Sequence, residues 1–159
     1  MQYIIAAPPI PTLPIAGRAE RFPVHRIYCV GKNYAAHAAE FNSSVPEEPL
    51  VFLKPNTSVI GPGEPIVYPP ETSDLHFEGE LAIVIGRRAK GVSAAQAPEH
   101  ILGYACANDL TAIELLNRDP AFAQWTRAKG FDGFGVFGPV IATDFDPAAA
   151  SVRTLVGGR

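Results

Sequence analysis

Short apolar runs, each cut off by proline or glycine, set the pattern of this chain. VHRIYCV, from Val24 to Val30, mixes alternation with β-branched and aromatic residues and stops at Gly31, which predicts a strand. Asn33 can then cap a short helix over NYAAHAAEF, whose alanines favour that state. PLVFLKP at 49–55 predicts a second strand with Lys54 near its end, followed by the turn GPGEP, a short strand IVY and the loop PPETS. That loop delivers the chain to DLHFEGELAIVIG, residues 74–86. Beyond it, Ser93 with Gln96 makes a capping-box start for a helix from Ser93 to Ile101 that ends at Gly103. YACAND predicts a strand into Asp109, TAIELL a helix, VIATDFDP a strand closing into a turn, and SVRTLVGGR the start of another strand. Sixteen prolines and fourteen glycines among 159 residues suit a mainly β, strand- and loop-rich fold with short helices rather than a helical bundle.

The stretch at 74–86 holds the most pointed chemistry. Alternation along one strand puts His76, Glu78, Glu80, Ala82 and Val84 on one face. Two like charges roughly 6.5–7 Å apart on one face repel, and a cation between them is the natural compensation. Gly79, without a side chain, marks close approach of a ligand or of another piece of chain. The run LAIVIG predicts a strand buried on both faces, which draws its acidic start towards the core. The alternative is a solvated strand end whose acids pair with Lys or Arg. Asp109, at a strand-to-helix junction, is either a helix cap or a third carboxylate. Three carboxylates with water would suit Mg²⁺ or Mn²⁺, and Ca²⁺ as well, while His76 suits orienting a carboxylate better than ligating.

His37 and Glu40 are three apart on the predicted helix, so they share a face. A carboxylate beside an imidazole fixes its tautomer and raises its basicity, which is the arrangement for taking a proton from water; a plain polar pair is the alternative. WTRAKGFDGFGVFGP at 125–139 sets Lys129 among glycines and phenylalanines, which predicts either an apolar pocket around one cation or a hairpin with a surface lysine.

Composition narrows the partners. A net charge of −3 with no basic run gives no footprint for nucleic acid, so a small-molecule partner is expected. No stretch approaches the length of a membrane span, and the apolar opening lacks a basic start and is cut by Pro8, Pro9, Pro11 and Pro14. It is read as an extended arm over residues 1–22, ahead of a domain over 23–159 in a cytoplasmic protein. Cys29 and Cys106 have no C-x-x-C spacing and are expected to be buried core thiols in a reducing compartment.

Taken in order, GKNYAAHAAE, KPNTSVIGPG, DLHFEGELAIVIG, GYACANDLTA and AKGFDGFGVFGP resemble the fumarylacetoacetate hydrolase superfamily, in particular its bacterial fumarylpyruvate and acylpyruvate hydrolases. The resemblance runs from about Phe22 to the end of the chain. It implies that Glu78, Glu80 and Asp109 hold Mg²⁺ or Mn²⁺, that His37 and Glu40 are a water-activating dyad on a lid helix, and that Lys129 binds substrate. The implied fold is a mixed β-roll with peripheral short helices, commonly a homodimer. The implied activity is hydrolysis of an acylpyruvate, with oxaloacetate decarboxylation or hydration and isomerisation of 2-oxo-enoic diacids as relatives' alternatives, and a non-catalytic metal-binding domain as the alternative of another class. Family members also continue into a G-T-P loop, a tripeptide absent here, so this chain is expected to match their N-terminal two-thirds and to be incomplete at its C-terminus.

Overall fold

The computed structural model describes residues 2–40 and 44–159, apart from the side chains of His37 and Glu40. Among the described residues ten short strands dominate. β1 (Thr12–Pro14) and β2 (Arg21–Pro23) form an antiparallel ribbon, as do β3 (Ile27–Gly31) and β4 (Leu50–Lys54). The largest sheet holds β5 (Val59–Ile60), β10 (Gly135–Phe137), β8 (Ile101–Asp109) and β7 (Gly79–Ile85), in that order, with β10 parallel to β5 and antiparallel to β8. β6 (Leu75–His76) pairs with β9 (Thr111–Ala112). The helices are one or two turns long: α1 (Ala35–Glu40), α2 (Ile113–Asn117) and α3 (Trp125–Lys129).

Among the described residues two apolar clusters hold these pieces. In the first, Leu13, Ile15 and Val24 pack with Val84, Ala105 and Ile141. The end of the N-terminal arm is thus part of the core: Ile15 bridges Ile141, and Ala16 N–H donates to Ile141 O at 2.9 Å. The second cluster, Leu110, Ala112, Leu115, Ala128 and Phe134, joins the end of β8 to α2, α3 and the approach to β10.

Several expected elements differ. The acidic stretch is two strands, because its partner bends first. Leu110, 3% exposed, turns into the second cluster and gives its N–H to Phe134 O, which separates β8 from β9. The facing strand follows, and β6 and β7 are separated at Phe77 and Glu78. β7 is buried on one face only, with Val84 inside and Ile83 and Ile85 more than half exposed. The capping box forms, Ser93 N–H donating to Gln96 Oε1 at 3.1 Å, yet only a 3-10 turn follows at Ala97–His100. Pro98 cannot supply the N–H a continuing helix needs, and Gly103 lies within β8. IVY at 66–68 and the tail at 151–159 form no ladder. Residues 125–129 are helical, not one arm of a hairpin. Cys106 is exposed and Cys29 half-buried, so neither is fully in the core.

Candidate active site

Charged and polar side chains meet where β8 ends, each beside an apolar anchor of the second cluster. Asp109 closes β8 just before Leu110, Thr111 lies between Leu110 and Ala112, and Lys129 follows Ala128 at the end of α3. Glu78 occupies the gap between β6 and β7 and is stapled there by its neighbour strand: Asn108 Oδ1 accepts from Glu78 N–H at 3.0 Å, and Asp109 N–H donates to Glu78 O at 2.9 Å. Burying Leu110, Ala112 and Ala128 therefore fixes the polar groups between them.

Lys129 is the hub. Its ammonium, 1% exposed, donates to Glu78 Oε1 and Asp109 Oδ2 at 2.8 Å each and to Thr111 Oγ1 at 2.6 Å. An ammonium has three protons, so all are engaged. Thr111, fully buried, accepts that bond and donates its own proton to Glu78 Oε1 at 2.5 Å. The rings of Phe52 and Trp125 lie 5.3 and 5.9 Å from the nitrogen, within cation–π range. Of the two sequence expectations for Lys129, the surface position is excluded.

A second buried ammonium, Lys54, received no role from the sequence. Its Nζ donates to Asp109 Oδ1 at 2.5 Å and to Leu110 O at 3.2 Å. Asp109 thus divides its two oxygens between two lysines. The signal was available: Lys54 has the same strand parity as Phe52, and both side chains are buried. Burial pushes the Lys54 ammonium below its ordinary pKa, against the pull of Asp109. Asp109 itself caps no helix, since α2 begins at Ile113 with Ala112 at its N-cap and no side-chain cap.

Glu80 stands apart from the lysines and hydrogen-bonds the Tyr34 phenol. Burial pushes its carboxyl up; the Tyr34 bond opposes this, and Asp109 and Glu78 add to it. Tyr34 is raised in turn by its own burial and by Glu80. Among the described residues the two ammonium groups are thus matched by Glu78 and Asp109, and Glu80 is a third carboxyl with no lysine partner of its own. Nearby, burial and then Asp109 push the Cys29 thiol up to about 12. His76 lies 3.4 Å from Asp74, both exposed, and so sits with that acid and not with Glu78 or Glu80. Gly79 is closely approached by the Thr154 side chain, into which a Cβ would run. α1 carries His37 and Glu40, but their expected pairing lies outside the described residues. Among the described residues, no three His, Cys, Asp or Glu side chains are grouped so as to hold a metal ion. Between Glu78 and Asp109 the cation in place is the Lys129 ammonium.

The family model described as fumarylacetoacetate (FAA) hydrolase C-terminal matches residues 26–159, a span that contains every residue of this site. The chain belongs to the fumarylacetoacetate hydrolase family. Its mainly β architecture with a few short helices is that of solved relatives. A fumarylpyruvate hydrolase from Pseudomonas aeruginosa, crystallised in complex with Mn²⁺ and pyruvate, superposes with a TM-score of 0.80 at 35% identity, over 89% of this chain and 63% of that one. A structure named as 5-carboxymethyl-2-hydroxymuconate delta-isomerase, from Mycobacterium smegmatis, is 52% identical with a TM-score of 0.67, over 77% of this chain and 46% of that one. Protein Rv2993c of Mycobacterium tuberculosis is 54% identical over 84% of this chain, which spans 50% of its length. Among the described residues of this fumarylacetoacetate hydrolase family chain, no helix is long and apolar enough to cross a membrane.

Proposed function

We propose that this chain supplies the carboxylate and lysine part of an enzyme site for metal-dependent hydrolysis of a carbon–carbon bond in an acylpyruvate such as fumarylpyruvate. The observation that carries this reading is the buried Lys129 ammonium among Glu78, Asp109 and Thr111, with aromatic rings beside it. A buried cation surrounded by oxygens suits a small, oxygen-rich acid far better than an apolar ligand.

The donor chemistry of Glu78, Glu80 and Asp109 fits a hard divalent ion, Mg²⁺ or Mn²⁺, with Ca²⁺ as a further candidate. The raised Glu80 carboxyl supports it, since a cation beside it would favour the ionised form against burial and against Asp109 and Glu78. Bound there, the ion would act as a Lewis acid on the 2-oxo acid end of the substrate. Lys129 would exchange one of its three bonds to Glu78, Asp109 and Thr111 for a substrate oxyanion or carboxylate. His37, kept in one tautomer by Glu40, would take a proton from a water that adds to the distal acyl carbonyl. The C–C bond then breaks with its electron pair going to the methylene carbon as the enolate of pyruvate. Protonation of that carbon gives pyruvate, and the acyl half leaves as the second acid, fumarate in the case of fumarylpyruvate. In this reading residues 23–159 form the catalytic domain, acting in a homodimer.

A second reading, isomerisation of an unsaturated 2-oxo diacid, is favoured by the 52% identity to the structure named as an isomerase. It uses the same enolate without the hydrolytic water, as would decarboxylation of oxaloacetate. His37→Ala separates the two. Hydrolysis of acylpyruvates should vanish while exchange of the C3 protons of a 2-oxo acid with deuterated water persists. Retained hydrolysis in that variant would overturn the dyad. Turnover that survives chelation, or a melting temperature indifferent to millimolar Mg²⁺ and Mn²⁺, would overturn the metal-dependent mechanism; the latter favours a non-catalytic domain.

A further inference from the structure

Lys54 ties two separate parts of the fold together. It ends β4, whose partner β3 runs through Gly31 towards α1, and its ammonium reaches the ends of β8 and the turn beyond, bonding Asp109 Oδ1 and Leu110 O. At 3% exposure it cannot exchange these partners for water. The Asp109 carboxylate is planar and has two oxygens. With Oδ1 held by Lys54, Oδ2 alone faces Lys129, and the remaining Lys129 donors go to Glu78 and Thr111.

We propose that Lys54 is a positioning residue that aims Lys129, acting through the Asp109 carboxylate. This rests on the reading of Lys129 as the group that holds substrate. Without Lys54, Asp109 can rotate to offer both oxygens to Lys129, a two-point pairing that draws the ammonium towards Asp109 and away from Glu78 and Thr111. A displacement on the order of 1 Å at a group that orients substrate costs about a hundredfold in rate. A pin with no such role would need no charge, because replacing a whole buried ion pair by apolar groups of similar volume is often neutral for stability.

The test is Lys54→Met, which keeps most of the unbranched stem and removes the charge, with Lys54→Arg as the charge-conserving control. Steady-state kinetics on acylpyruvates are measured at a temperature where circular dichroism shows each variant folded, and each variant is crystallised. The expected result for Lys54→Met is kcat lower by about a hundredfold, KM changed less than about threefold, and an Asp109 carboxylate rotated so that both oxygens face Lys129. Lys54→Arg should recover most of kcat. Should the Met variant fail to fold, Lys54→Gln replaces it and is judged by the same criteria. Unchanged kcat in a folded variant, or an Asp109 rotamer identical to the parent's, overturns the proposal. If the parent turns over no acylpyruvate, the functional reading fails by itself, and the Asp109 rotamer still decides the role of Lys54.

Discussion

Removing the Lys129 ammonium tests the centre of the site by its stability alone. Lys129→Met retains an unbranched apolar stem beside Phe52 and Trp125 while deleting a charge that bonds Glu78, Asp109 and Thr111. Taking one partner out of a buried pair costs about 3–5 kcal/mol, mostly because the other charge stays buried and unpaired. Two features place this case near the lower end. Asp109 keeps its bond to Lys54, and the Glu78 side chain, 35% exposed, can be rehydrated. About 3 kcal/mol for a chain of this size is a fall in Tm of roughly 6–12 °C. Differential scanning calorimetry of parent and variant at pH 7, in low and in molar salt, measures it. The shift should survive salt, because screening acts mainly on exposed charges. A fall below about 2 °C, or one that salt removes, would mean that the ammonium is not buried among these oxygens in solution.

The neighbouring acids should respond with opposite signs. Burial raises the Glu80 carboxyl, so the stability it contributes is complete below its ordinary value of 4.5 and is lost as pH rises through its folded pKa. Glu80→Gln should therefore raise Tm at neutral pH, with the gain disappearing on acidification, whereas Glu78→Gln weakens the bond to Lys129 and should lower Tm; melts from pH 4 to 8 in which the two shift alike would contradict the site. The thiols should separate as well. At pH 8 a disulfide reagent should titrate the exposed Cys106 and reach Cys29 only after denaturation. Because the Cys29 thiol is raised from 9.0 to about 12, its contribution is intact below pH 9 and lost between there and 12, and Cys29→Ala should flatten the alkaline fall in the urea midpoint.

What was legible in the sequence was whatever depends on local periodicity and punctuation. The strands ending at Gly31, Lys54 and Asp109 follow from alternation closed by glycine, proline or a turn, and each lies within a residue or two of the predicted limit at that end. The family was legible too, since several motifs agreed in order, and so was the loop-rich, mainly β class, since prolines and glycines limit every element to a few residues. Tertiary structure decided the rest. A bend that takes Leu110 into an apolar cluster cannot be read from DLHFEGELAIVIG, yet it splits that stretch in two and gives Glu78 and Glu80 different partners. Nothing in the local pattern places the Lys129 ammonium, one residue beyond the fully buried Ala128, between Glu78 and Asp109, and the companion Lys54 comes from a strand 55 residues before Asp109. Period and propensity are properties of neighbours along the chain. Which charges share a buried point depends on where distant apolar anchors pack, and that is settled only when the whole chain closes on its two cores.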